Sequence, residues 1–200
     1  MDAPGATPCS PPGPSTPVTM PASSVAWRSG PALYAASIDS PVPRLIIAGN
    51  VGRPVLSGTL LVFAIDGRIE AVDLLSGRRE LLRREARAEL RGPSVEGFRL
   101  TYVKATYKRQ QVLTGVLLPR RPSSDRTLYG TTPTARRDAG HEPGRGNARG
   151  HINKPLWRRP PAGVSDTLTT TATSPSAVYF TRVRQPRAGS ARADVVRVDL

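Results

Sequence analysis

Lysine is nearly absent from this chain of 200 residues: only Lys104, Lys108 and Lys154 stand beside the arginines, which carry most of a formal net charge of +14. An arginine excess of this size is compatible with binding nucleic acid, anionic lipid or an acidic wall polymer. It is equally what a GC-rich genome writes through codon bias, so charge alone selects no partner. Cysteine occurs once, at Cys9, which excludes an intrachain disulfide and leaves the redox compartment open. The Pro- and Ser-rich surroundings of Cys9 make it a bystander rather than a nucleophile. Long apolar runs are missing too: the longest, Leu60–Ile65, falls far below the roughly 18 residues of a membrane-spanning helix, and no transmembrane segment is expected. Residues 1–27 hold no Lys or Arg and no apolar stretch of the right length, so they are not a secretory signal peptide as written. With aromatics at 5% against 21 Pro and 18 Gly, core-forming residues are scarce, and about two-thirds of the chain is expected to be ordered.

Reactive constellations are also lacking. His141-Glu142 is followed by Pro143, and the second histidine, His151, is ten residues on, so the helical HExxH pair of a zinc site does not form. The segment Gly92-Pro93-Ser94-Val95-Glu96-Gly97 lacks the Gly-x-Ser-x-Gly spacing of a strained nucleophile elbow. The glycines at 144, 146 and 150 follow no strand and open no helix, which rules out a dinucleotide fingerprint, and no Gly-Lys-Ser/Thr phosphate loop occurs. The expectation is a chain that is not an enzyme, with no catalytic residue, no metal and no cofactor.

What the sequence does hold is centred on residues 54–84, where apolar runs alternate with turn signals. Asp66-Gly67 separates Leu60–Ile65 from Arg68–Asp73, and Asp-Gly supplies the positive φ angles of a two-residue type I′ hairpin. The first run is apolar on both faces and reads as an inner strand, whereas the second alternates and reads as wet on one face. Ser76-Gly77 turns the chain again. Upstream, residues 1–30 read as a disordered Pro/Ser-rich tail, and 32–38 and 44–48 as short strands joined through 39–43. Segment 78–90 is ambiguous: it reads either as a strand followed by a loop or as a three-turn helix with Arg79, Arg83, Arg87 and Arg91 on one stripe. Strands are expected again at 98–103 and 110–118.

The pattern restarts after 39 residues, because Pro54 and Pro93 are each followed four residues later by Gly and then by a strand ending in an aromatic. Two further offsets reach Thr171, ahead of Ala177-Val178-Tyr179-Phe180 and the partner run 194–200. A period near 40 with several short strands per unit marks the blade of a β-propeller. The run 66–77, DGRIEAVDLLSG, together with Ala177-Val178-Tyr179-Phe180 and 194–200, resembles the degenerate blades of TolB-like or WD40-like β-propellers; PQQ-type and kelch-like propellers use similar hairpins. The resemblance covers 31–118 and 164–200. It implies a non-catalytic protein-interaction platform, periplasmic or secreted, in the cell envelope.

The fold class expected is therefore all-β: a partial or irregular propeller-like array of short antiparallel sheets over 31–200, interrupted by a basic low-complexity loop at about 133–163. Leu61, Phe63, Ile65, Val72, Leu100, Tyr102, Val178 and Phe180 are the expected core. The first unit lacks its opening strands and the last stops after its second, so strands near 33–48 and 176–200 are candidates to pair in one composite blade. Open edges would leave the chain self-associating or dependent on a protein partner. Candidate contacts are Arg136, Arg137, Arg145, Arg149, Lys154, Trp157, Arg158 and Arg159, since arginines with an aromatic among them suit phosphate tracking and base stacking, on nucleic acid or an anionic wall polymer.

Overall fold

The computed structural model describes residues 23–131, 156–158 and 164–200, with side chains omitted at 156–158 and 164. The strands are β1 (Ser24–Ser29), β2 (Ala32–Ser37), β3 (Arg44–Ala48), β4 (Val55–Ser57), β5 (Leu60–Ile65), β6 (Arg68–Asp73), β7 (Arg79–Arg84) and β8 (Glu89–Glu96). They continue with β9 (Arg99–Ala105), β10 (Gln110–Val116), β11 (Arg126–Thr131), β12 (Leu156–Arg158), β13 (Val164–Thr173), β14 (Ala177–Pro186) and β15 (Arg192–Asp199). No α-helix occurs among the described residues; a single 3-10 turn covers Pro122–Ser124. The strands form four sheets in chain order: β1-β2-β3, β4-β5-β6-β7, β8-β9-β10-β11-β12 and β13-β14-β15. The fold is all-β, and no sheet closes into a barrel.

The two faces of β5 explain how the sheets stack. Leu61, Phe63 and Ile65 pack with Leu33 and Ala35 of the first sheet, while Val62 and Ala64 pack with Leu90, Leu100, Tyr102 and Leu113 of the third. A strand apolar on both faces is thus buried between two neighbours, as its sequence requires. A third cluster joins Val103, Val112, Leu128 and Tyr129 of the third sheet to Leu168, Val178 and Phe180 of the fourth. All eight expected core residues are buried. The opening strands β1, β4, β8 and β13 also pack in succession. Short meandering sheets, stacked face to face with their first strands side by side, are a propeller-like arrangement.

The Asp66-Gly67 turn has φ of 46° and 72°, the left-handed pair that a type I′ hairpin demands. Segment 78–90 is strand β7 followed by a loop, because Glu80 and Leu81 pair in register with Ala71 and Glu70 and the helical stripe never forms. The 39-residue restart corresponds to two four-stranded units, β4–β7 and β8–β11.

Four expectations are corrected. Residues 24–29, assigned from sequence to the tail, are strand β1, paired antiparallel with β2. The last sheet has three strands, because the threonine-rich 164–173 forms β13. The basic loop expected at about 133–163 holds strand β12, which adds to the third sheet in parallel with β11, Gly130 opposite Trp157. The composite blade does not form: β1–β3 and β13–β15 belong to separate sheets.

Candidate binding surface at the loop end

Successive antiparallel strands bring one set of turns to a common end. Asp66-Gly67 lies under the β7–β8 connection, with Glu85 N–H donating to Gly67 O at 3.1 Å, and the β9–β10 turn at 106–109 stands beside them. The first sheet joins this end through the Val51–Ile65 bridge and an Arg28 Nη1 bond to Val51 O at 3.2 Å. The fourth joins through Gln110 Nε2, which donates to Asp166 O at 3.1 Å. An open groove of about 690 Å³ runs between Asp66–Arg68, 84–89 and 105–107.

Cations dominate its rim. Arg84 and Arg87 are exposed along it, and Lys108 and Arg109 are exposed in the adjoining turn, against exposed carboxylates at Asp66 and Glu89. Two other carboxylates are occupied locally, Glu85 by Lys104 and Glu70 by Arg68 and Arg79. Tyr107 is 85% exposed, with Lys108 Nζ 5.3 Å from its ring centre. Guanidinium forks on flexible stems beside an exposed phenol suit planar anions, whether carboxylate or phosphate.

The charges buried elsewhere serve the fold. Arg83, on β7, is fully buried and reaches the 117–125 connection: Nε and Nη2 hold Asp125 Oδ2 and Oδ1 at 2.5 and 2.9 Å. Its remaining N–H groups donate to the carbonyls of Leu82, Leu118 and Val116 at 2.6 to 2.8 Å, so all five donors are satisfied. Tyr102 Oη donates to Asp125 Oδ2 at 2.7 Å. Burial first, and then the Asp125 carboxylate, push the Tyr102 pKa well above its ordinary 10.0. A Cβ at Gly115 would fall 1.9 Å from Asp125 Oδ1, so only glycine leaves room for this carboxylate.

Between the third and fourth sheets Arg182 donates to Asp194 Oδ2 at 2.9 Å and to Tyr129 Oη at 3.3 Å. Burial alone would lower its pKa, but these bonds outweigh burial and hold it above the ordinary value. Arg184 Nε stands 3.8 Å from Asp166 Oδ1 and 3.7 Å from Asp194 Oδ2, and Asp166 Oδ1, Arg182 Nε and Arg184 Nε make no hydrogen bond.

Of the contacts picked from sequence, Arg136, Arg137, Arg145, Arg149, Lys154 and Arg159 lie outside the described residues, and only the backbone of Trp157 and Arg158 is described, in β12. Thr131 pairs with Gln110 at the loop end, and β13 begins there, so this end is where the basic segment departs and the chain resumes. Cys9, His141 and His151 are also outside. Among the described residues no group of three or more His, Cys, Asp or Glu is placed to hold a metal, and no helix is long and apolar enough to cross a membrane. The sequence reading missed the loop-end rim, whose signal was the recurrence of Arg or Lys beside each hairpin turn.

No protein-family model matches the chain, and no curated protein does. Among solved structures it is similar to a nidogen/laminin complex at 12% identity and TM-score 0.46, covering 82% of this chain and 55% of that one. A prolyl endopeptidase is matched at 11% identity and TM-score 0.46, over 84% and 23%. A chain of the S. cerevisiae dbp5 complex with nup159 and gle1 is matched at 12% identity and TM-score 0.43, over 88% and 46%. The chain spans about half the length of the first of these.

Proposed function

We propose that this chain is a non-catalytic, propeller-like binding module whose loop end docks an acidic protein surface. In the finer form of this reading it is an interaction scaffold of the cell envelope, periplasmic or secreted, of the TolB-like kind that the run 66–77 resembles. The supporting observation is the loop-end rim, where exposed Arg84, Arg87, Lys108 and Arg109 surround a groove beside Tyr107. The sequence shows none of the nucleophile, metal or phosphate-loop spacings weighed above, and cations outnumber carboxylates along the rim. A second reading, nucleic-acid binding, is favoured by one observation: the segment carrying Arg136, Arg137, Arg145, Arg149, Lys154 and Arg159 leaves from this same end.

Salt separates the two. Phosphate tracking by several arginines loses on the order of a thousandfold in affinity between 50 and 200 mM salt, whereas a shape-matched protein interface loses far less. Fluorescence anisotropy with a labelled 30-base-pair duplex is expected to show only weak binding that disappears by 200 mM. A photo-reactive benzoylphenylalanine at position 107 is expected to give a discrete protein adduct in cells. Nanomolar duplex binding at 200 mM salt, with no protein adduct, would overturn the scaffold reading.

A further inference from the structure

At each of the three sheet interfaces, one face of a sheet meets the opposite face of the next. That pattern leaves two faces uncovered among the described residues: the rear face of the first sheet and the forward face of the fourth. On the first, the register places Val25, Trp27, Tyr34 and Leu45 together, since Trp27 lies opposite Tyr34 and Tyr34 opposite Leu45. Trp27 and Tyr34 stack at 5.9 Å, no charged side chain interrupts the group, and Leu45 is 53% exposed. On the fourth, Tyr179, Thr181 and Val183 of β14 share a face with Arg197, Val195 and Ala193 of β15, the side opposite Val178 and Phe180, and Arg197 is there paired to Asp199 at the strand's end. Val195 is 74% exposed. The two bare faces are a preceding and a following half of the interface that the chain already makes three times.

We propose that a second copy of this chain supplies the missing halves: the fourth sheet of each copy covers the first sheet of the other, closing a two-fold, head-to-tail pair. The area favours closure over a single contact. A face of three six-residue strands measures roughly 14 by 20 Å, or about 280 Å². One such interface therefore buries roughly 560 Å² counting both sides, less than half of the ~1,200 Å² of a stable complex, whereas two reach roughly 1,100 Å² before side-chain relief is added. Residues 1–22 offer no rival cover, being rich in Pro and Ser with few large apolar side chains. The pair is independent of what the loop end binds.

Sedimentation velocity of the full chain from about 1 to 100 µM tests this, in 150 mM salt so that self-repulsion of the +14 charge is screened. A dimer is expected. Leu45→Glu and Val195→Arg each place a charge on one face at an exposed position, so each variant should keep the parent's far-UV circular dichroism and sediment as a monomer. Mixed together they should pair again, since one interface is then unmodified and the other brings Glu and Arg to the same contact. A monomeric parent, a dimer that survives Val195→Arg, assemblies that grow past two copies with concentration, or a mixture that stays monomeric would each overturn the proposal.

Discussion

The interface between the second and third sheets and that between the third and fourth are both apolar in the middle, yet they treat buried charge in opposite ways. In the first, Arg83 finds five acceptors, three of them backbone carbonyls that converge because 116–118 crosses β7. In the second, Arg182 bonds Asp194 at 2.9 Å, but the half-exposed Arg184 stands 3.7 to 3.8 Å from Asp194 and Asp166, and Asp166 Oδ1 is left without a hydrogen bond. The difference teaches that backbone carbonyls let a buried arginine satisfy every donor; without them, Arg182 bonds Asp194 while Arg184 and Asp166 only share a region.

The largest effect is expected from breaking the saturated cluster. Arg83→Met leaves Asp125 buried without its cation and should cost about 3–5 kcal/mol in urea unfolding. A loss below about 1 kcal/mol would show that the cluster is not stabilising the fold. Gly115→Ala forces a Cβ against Asp125 Oδ1 and should cost about 1–3 kcal/mol. Combined with Arg83→Met it should cost less than the sum, because both act on one cluster.

An alkaline effect comes next. Tyr102 has a folded pKa above its unfolded value of 10.0, so the stability it contributes is whole below pH 10 and is lost as pH rises beyond it. By pH 11 the loss should be about 1.4 kcal/mol, read as a falling melting temperature. Tyr102→Phe should flatten that slope. If the slope is unchanged in the Phe variant, another group is responsible. Smallest of all, Asp166→Asn at the loosely held interface should change stability by less than about 1 kcal/mol, since Asp166 Oδ1 makes no hydrogen bond to lose. A cost near that of Arg83→Met would erase the contrast between the two interfaces.

The same contrast marks how far the sequence could be read. The two units opened at Pro54 and Pro93 were legible because Asp66-Gly67 fixes a turn and 60–65 is apolar on both faces. Strand β13 was hidden because its buried face uses hydroxyls: Thr171 and Thr173 each hydrogen-bond Ser94 Oγ, at 2.8 and 2.7 Å, where a hydropathy pattern looks for Val or Ile. Strand β1 was hidden by its Pro/Ser-rich approach, which reads as tail until the register to β2 is known. Arg83 looked like one more surface cation, since nothing local announces that carbonyls 33 to 35 residues downstream will surround it. Of the site, the basic segment was visible by composition, whereas the loop-end rim needed the fold to bring residues from three turns together.

The parallel return of β12 onto β11 has a consequence for how this chain can grow. Leu156–Arg158 is tied back beside 129–131, so the sheet fixes the two points between which residues 132–155 run. Doubling the length of such a loop adds only about 0.6 kcal/mol of closure entropy. The third sheet thus behaves as a socket: sequence, or even a folded module, can be spliced between 132 and 155 while the four sheets keep their order.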